Sequence, residues 1–183
     1  MMQVFVVCVE NKPGVLNRVA SLFRRRGFNI DSLTVGRTER PGVSRMTIAV
    51  ETDEQGARRI EMNLRRLIPV RRVDNITAVP MITRDLAMIK VAVAAAERAH
   101  VMQLADAYRA RIVDVSADAL VVEVTGAEEK VDSLIDVLRP YGLLEVVRTG
   151  RVAMARGAVR NARSAASPAG GASVIDNASN GSV

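Results

Sequence analysis

Hydrophobic and polar positions follow two different periods along the first eighty residues. An unbroken apolar run at residues 4–9 predicts a strand that is buried on both faces. From residue 15, apolar positions recur at helical spacing, and the pattern ends at Gly27 after three arginines, as is typical of a helix C-terminus. Residues 44–51 instead alternate strictly, which predicts a strand with one buried face.

The predicted elements give the order βαββαβ twice. In the first half they are strands at residues 4–9, 30–37, 44–51 and 70–79, a helix from residue 15 and a helix that begins after Thr52-Asp53 and stops at Pro69. In the second half, after a short link at residues 80–84, they are strands at 87–94, 110–115, 119–125 and 144–147 and helices at 97–108 and 127–138. With right-handed crossovers, each half packs as a four-stranded antiparallel sheet with two helices on one face. The expected fold class is therefore α+β, with two tandem ferredoxin-like domains.

The chain divides by pattern into three parts. We expect a first domain at residues 1–82, a second domain at residues 83–157 and a disordered tail at residues 158–183, where Ala, Ser, Gly and Asn dominate. Each domain is small enough that oligomerisation is a reasonable expectation.

Composition is compatible with a globular protein and leaves its partners open. Of 183 residues 49% are hydrophobic and only 3% are aromatic, and the net charge is +6. This charge suits nucleic acid, a membrane surface or an acidic protein, and equally an ordinary soluble surface. No apolar run could span a bilayer and no targeting segment is visible, so we expect a soluble, cytoplasmic protein.

The residues needed for catalysis are scarce. His100 is the only histidine and Cys8 the only cysteine, so a nucleophilic triad would rest on one residue and a structural zinc site cannot form. Cys8 lies in an apolar strand and is expected to be a small buried hydrophobe. His100 is expected to be a surface or packing residue. We predict no catalytic residue and no metal site.

The most informative segment is residues 11–16, with the sequence NKPGVL. A plain strand-to-helix turn explains it, since Pro13 fixes the backbone and Gly14 permits a tight bend. The same turn leaves the N–H groups near Gly14, Val15 and Leu16 free at a helix N-terminus, where an anion is favoured. Because the Asn11 carbonyl could accept from an ammonium group, a free α-amino acid could have both ends bound.

Asn29 follows the same predicted helix. It is more often a turn residue than a ligand contact, but its amide both donates and accepts, which suits a zwitterion. A helix of about a dozen residues spans ~18 Å. A site that uses both Asn11 and Asn29 must therefore join two protomers.

Several motifs in order resemble a known family. They are NKPGVL at residues 11–16, RGFNIDSLTVG at 26–36, SRMTI at 44–48, MIKV at 88–91, ARIVDV at 110–115 and TGRVAMARG at 149–157. These segments resemble the small regulatory subunits of acetolactate (acetohydroxyacid) synthase, whose N-terminal part is an ACT domain. The resemblance runs from residue 3 to about 157, with Asp31 where the family more often has Glu.

The resemblance implies an allosteric role in branched-chain amino acid biosynthesis. Family members dimerise through their ACT domains and bind valine, sometimes leucine or isoleucine, between protomers. The implied effector contacts are Asn11, Gly14, Val15 and Leu16 of one protomer and Asn29 and Ile30 of the other, with Gly36 close by. The implied partner is the catalytic large subunit, which uses thiamine diphosphate, Mg²⁺ and FAD to condense pyruvate with pyruvate or 2-oxobutanoate. The small subunit raises the activity of this transferase, and bound valine reverses much of the gain as feedback inhibition.

The sequence argues against two other functions. RNA binding needs exposed aromatics on the central strands, and Phe5 is the only candidate. A stand-alone ACT-domain sensor acting on another enzyme would leave the second domain surplus. We expect neither a nucleic-acid nor a membrane partner. The arginines at residues 58–66 are one possible docking face for the large subunit, although a solvated face explains them more simply.

Overall fold

A computed structural model describes residues 1–157 of the chain. The first half contains β1 (Met2–Glu10), α1 (Val15–Arg25), β2 (Ser32–Arg37), β3 (Val43–Glu51), α2 (Glu54–Arg65) and β4 (Val70–Asn75). The second half contains β5 (Met81–Ala92), α3 (Arg98–Ala107), β6 (Arg111–Val115), β7 (Ala119–Gly126), α4 (Glu128–Leu138), β8 (Leu143–Arg148) and β9 (Val152–Ala155). The predicted tail at residues 158–183 lies outside the described residues.

Both halves form the predicted antiparallel sheets. The first sheet has the strand order β2-β3-β1-β4, and the second has the order β6-β7-β5-β8, with β9 paired to the start of β5. In each sheet the first and third strands pair in the centre, which is the ferredoxin-like topology. The prediction of two tandem ferredoxin-like domains is confirmed.

Each sheet packs its helices against one apolar face. In the first domain Phe5 and Ile48 of the sheet meet Phe23 of α1 and Ile60 of α2, and all four are fully buried. In the second domain a separate cluster joins β5 and β7 to α3 and α4. Each domain therefore has its own core between its sheet and its helices.

The helix ends follow the predicted signals. Asp53 caps α2, since its side chain accepts a hydrogen bond from Gly56 N at 2.6 Å. After α1, Gly27 has a φ of +72°, and the N–H groups of Gly27 and Phe28 bond to Arg24 and Phe23. This is the Schellman arrangement, in which glycine accepts the left-handed conformation without strain.

The outer face of the first sheet corrects a prediction. Residues 44–51 were expected to bury one face, yet Thr47 and Ala49 on the other face are 3% and 0% exposed. Ala153 of β9 and the segment around Ile76 cover that face, where they pack against Val4. An alternating pattern cannot reveal this cover, because the covering residues come from distant parts of the chain.

Other boundaries also differ. The predicted link at residues 80–84 is the start of β5, because Met81 to Arg84 pair with β9, a strand that the sequence did not predict. β2 begins at Ser32 rather than residue 30, and β4 ends at Asn75 rather than residue 79. Cys8 is half-buried, not buried, since it lies on the outer face of β1.

Candidate functional site

The turn before α1 leaves a helix N-terminus without a side-chain cap. Gly14 occupies the N-cap position with φ +78° and ψ −7°, and no side chain accepts from the first turn. A side chain in this left-handed conformation is strained, which accounts for glycine here. A Cβ added at Gly14 would have no heavy atom within 4 Å, so the space in front of the turn is open.

Several backbone amides of this turn lack a hydrogen-bond acceptor. Within residues 1–157, no acceptor bonds the N–H groups of Gly14, Leu16 or Asn17. The N–H of Val15 differs from the prediction, because it faces the Lys12 carbonyl at 3.4 Å. Unsatisfied N–H groups and the helix dipole together favour an anion.

The charged side chains next to this turn pair with one another, which leaves the backbone amides as donors for a ligand. The Lys12 ammonium lies 2.8 Å from Glu10, and Arg71 approaches the same carboxylate at 3.9 Å. The pKa of Glu10 is lowered, first because Lys12 donates a hydrogen bond to it and then because of the positive charge of Lys12; burial opposes this, and the charge of Arg71 adds to it. Lys12 is thus engaged by Glu10, and a bound carboxylate would rely on the main chain.

Asn11 lies beside this turn. Its backbone N–H bonds to Gly42 O at 2.9 Å, which fixes the end of β1 against the β2–β3 turn. Its side chain is exposed and makes no hydrogen bond to the described part of the chain. The amide is therefore available to a ligand.

Asn29 and Ile30 lie at the opposite end of the sheet. Asp31 N bonds to Ala49 O, and Ser32 pairs with Ala49, whereas Glu10 at the other end pairs with Val43. Six residues of β3 separate these levels, or ~20 Å at strand rise. The structure thus does not bring Asn29 to Asn11 within one protomer. Whether two protomers do so stays a prediction.

Gly36 lies at the end of β2 nearer to Asn11. It pairs with Arg45, and the next residue, Arg37, pairs with Ser44, which also pairs with Val9. The C-terminal ends of β1 and β2 and the start of α1 therefore lie at the same end of the sheet. Gly36 has open space around its α-carbon.

A second polar cluster, which the sequence did not predict, joins the two halves. Arg148 donates to Asp85 at 2.9 Å and to Asp132 at 2.7 Å, while Arg151 pairs with Glu128. The backbone N–H of Arg151 donates to Ser32 Oγ at 2.7 Å. This inter-domain cluster fixes the start of β2 to the second domain.

The cluster is buried at its centre, and its outer carboxylates, Asp132 and Glu128, are 52% and 43% exposed. The side chain of Asp85 is 6% exposed and that of Arg148 is 29% exposed. Burial by itself lowers the pKa of Arg148, but hydrogen bonds and charges from Asp132 and Asp85 outweigh it, so the pKa is raised above its ordinary value. Gly150 is essential to the close approach, because a Cβ there would lie 2.9 Å from the Leu33 carbonyl oxygen.

Other candidate chemistry has an ordinary explanation. The exposed His100 ring lies edge-on to Tyr141, whose hydroxyl is 2.8 Å from His100 Nδ1. Residues 1–157 contain no group of three or more potential metal-ligating side chains. In that same range, no helix combines the length and the apolar character needed to cross a bilayer.

Comparison with known families agrees with the ferredoxin-like fold of both domains and with the open N-terminus of α1. Residues 5–72 match the model of the acetohydroxyacid synthase small subunit-like ACT domain, and residues 84–157 match the model of the small subunit of acetolactate synthase. The two models together cover most of the chain in the order that the motifs predicted.

Individual relatives agree over nearly their whole length. The chain is 51% identical over 157 residues to a probable acetolactate synthase small subunit of Archaeoglobus fulgidus, covering 86% of this chain and 98% of the relative. It is 42% identical over 165 residues to the acetolactate synthase small subunit of Bacillus subtilis, covering 90% and 96%. The crystal structure of the small subunit from Thermotoga maritima superposes with a TM-score of 0.82 at 40% identity, covering 87% and 99%. The chain belongs to the family of acetolactate synthase small subunits, which confirms the resemblance drawn from its motifs.

Proposed function

We propose that this chain is the regulatory subunit of an acetolactate synthase and sets the activity of a catalytic large subunit according to the supply of branched-chain amino acids. The role of regulatory partner follows from the small subunits to which it is similar. The observation that carries the sensing role is the uncapped N-terminus of α1, with open space before Gly14.

The helix N-terminus supplies a site for the carboxylate of an α-amino acid. The N–H groups of Gly14 and Leu16 lack acceptors within residues 1–157 and lie at the positive end of the α1 dipole. The exposed Asn11 side chain would accept from the ammonium group through its carbonyl oxygen. Leu16 is 45% exposed and supplies apolar surface for a branched side chain.

The second half of the site is proposed to come from another protomer. β2 is an edge strand, so its outer backbone groups can pair with β2 of a second copy. In an antiparallel pair, the start of one β2 lies beside the end of the other. Asn29 and Ile30, which precede β2, would then approach the partner's turn at residues 11–16. This geometry supports a homodimer that forms through the ACT domains and binds valine at their interface.

Regulation follows as a linkage between ligand and quaternary state. Valine shifts the holoenzyme only by the difference between its affinities for two arrangements. A coupling of ~1–3 kcal/mol gives roughly 5–150-fold changes, which suffices for feedback. One methylene in an apolar pocket changes the binding free energy by only about 1–3 kcal/mol. Leucine and isoleucine should therefore also act as effectors.

The catalytic groups are proposed to reside on the partner. Thiamine diphosphate, Mg²⁺ and FAD would serve the large subunit, which condenses pyruvate with pyruvate or 2-oxobutanoate. Nothing in the donor set of residues 1–157 fits a divalent metal, since no three ligating side chains converge there. This chain's part is to bind the effector and the large subunit.

One assay tests this function. Purified chain is added to its large subunit with thiamine diphosphate, Mg²⁺, FAD and pyruvate, and acetolactate formation is measured with and without valine. We expect activity to rise severalfold on addition of the chain and to fall again with valine. Unchanged activity, together with valine binding by the isolated chain, would instead favour the alternative of a stand-alone amino-acid sensor for another enzyme.

A further inference from the structure

The excess positive charge of the chain is concentrated on one layer. Residues 15–26 and 54–66, which form α1, α2 and their last turns, contain eight arginines and two glutamates. Their net charge of +6 equals that of the whole chain. The two helices of the ACT domain therefore form a basic face, while the rest of the sequence is balanced.

A cleft opens on this face between the C-terminal ends of α1 and α2. Its volume is about 480 Å³, and its lining residues are Leu22, Arg25, Arg26, Asn63, Arg66 and Leu67. No carboxylate is among them. Arg26 donates to Asn63 Oδ1 at 3.2 Å, and Arg25 donates to Ser21 O at 3.3 Å. These contacts hold the guanidinium groups at the cleft without neutralising them.

The cleft arginines differ from their neighbours on α2. Arg58 pairs with Glu54 and Arg65 pairs with Glu61, each one helical turn away. Arg25, Arg26 and Arg66 form no ion pair with any residue in 1–157. Cations near a helix C-terminus compensate its dipole, but one or two in the last turn suffice for that. The arginines in excess keep further N–H donors that no carboxylate of residues 1–157 engages.

The cleft has two apolar lining residues, and further apolar side chains are exposed near it in the sequence. Leu22 and Leu67 line it, while Ile68 is 94% exposed and Met62 is 49% exposed nearby in sequence. An apolar contact surrounded by arginines is typical of a protein interface, where Arg is enriched. Nucleic acid fits less well, because Phe23, the only aromatic residue of α1 and α2, is 1% exposed and cannot stack with bases.

Two other surfaces of the ACT domain have a different use. β9 and the segment around Ile76 cover the outer face of its sheet. The β2 edge is proposed to pair with a second protomer. The helical layer is therefore a broad surface of this domain that stays available to a different chain.

We propose that the cleft between α1 and α2 docks an acidic segment of the large subunit, with carboxylates on Arg25, Arg26 and Arg66 and an apolar side chain against Leu22 and Leu67. The inference rests on the proposed function for the identity of the partner. It goes further by assigning the docking surface and its chemistry.

Charge reversal in the full-length chain tests the proposal. Affinity for the purified large subunit is measured by calorimetry at several salt concentrations for wild type and for Arg25→Glu/Arg66→Glu. We expect ~10- to 100-fold weaker binding and a shallower salt dependence, with valine binding by the isolated variant unchanged. The neutral variant Arg25→Gln/Arg66→Gln should lie between, and thermal unfolding checks that each variant is folded.

A matched control separates local docking from general attraction. Arg84→Glu/Arg111→Glu changes the net charge equally at exposed positions away from the helical layer. It should bind the large subunit almost as wild type does. Equal weakening in both reversed variants, or none in either, would overturn the proposal. So would tight binding of a single-stranded RNA oligonucleotide that the cleft variant loses while large-subunit binding persists. If wild type fails to bind the large subunit at all, the proposed function fails, and the docking assignment with it.

Discussion

Gly14→Asp is expected to abolish valine inhibition of the holoenzyme while activation by the small subunit persists. A Cβ added at Gly14 meets no heavy atom within 4 Å, and aspartate tolerates positive φ better than most residues, so the strain at φ +78° should leave the fold intact. Its carboxylate, however, would lie at the N-terminus of α1 and occupy the amides that we propose bind the ligand's carboxylate. A loss of at least about 100-fold in valine affinity is expected, equivalent to roughly 2.7 kcal/mol. Calorimetry with valine and the coupled activity assay measure both effects.

Gly14→Asn provides the matched control. Asparagine tolerates positive φ about as well as aspartate and has almost the same size, but it is neutral. It should weaken valine clearly less than aspartate does. If Gly14→Asp leaves inhibition by valine intact, the effector does not bind at the start of α1.

Arg148→Met is expected to destabilise the second domain by about 2–3 kcal/mol. The substitution removes the guanidinium that donates to Asp85 at 2.9 Å and to Asp132 at 2.7 Å. Asp85 is 5% exposed, and Arg151 at 4.0 Å would be the cation left near its charge. The expected cost is below that of a fully buried pair, because the Arg148 side chain is 29% exposed. Urea unfolding followed by circular dichroism gives the free energy of unfolding.

The double variant Arg148→Met/Asp85→Leu distinguishes a stranded charge from lost packing. With both charges replaced by apolar side chains, stability should return to within about 1 kcal/mol of wild type. A double variant that is as unstable as Arg148→Met would mean that the guanidinium acts through its packing rather than through the carboxylate.

The fold was predictable from local patterns because each element carries its own periodicity and stop signals. The change from an unbroken apolar run to helical spacing after Pro13-Gly14 located β1 and α1, and Asp53 located the start of α2. Element order and right-handed crossovers then left the ferredoxin-like arrangement. The types of these residues were sufficient to predict the elements, since the role of each residue depends on its neighbours in the sequence.

What the sequence did not predict depends on distant contacts. β9 has only four residues, and its partner is the start of β5, about seventy residues earlier. β9 also helps to bury Thr47 and Ala49, which the alternating pattern places on an exposed face. One signal was present for the inter-domain cluster, because Asp85 is a charged residue at a position that becomes an inward-facing part of β5. Its partners could not be chosen without the fold.

The candidate site was predicted in part. The uncapped start of α1 follows from Pro13-Gly14, and the structure has it open. The position of the Val15 amide depends on the local turn geometry, which brings it to the Lys12 carbonyl. The contribution of Asn29 and Ile30 from a second protomer is a matter of quaternary structure and stays a prediction.

Complementation between two variants that are expected not to bind valine tests the shared site most directly. Gly14→Asp and Asn29→His each damage one half of every site in a homodimer. In a heterodimer of the two, isolated with different affinity tags, one site contains both substitutions and the other contains neither, because a two-fold interface is isologous. We predict that valine calorimetry finds no binding to either variant homodimer and about half the wild-type number of sites in the heterodimer, at wild-type affinity. A heterodimer that binds no valine would contradict a site built from the first-helix turn of one protomer and Asn29 of the other.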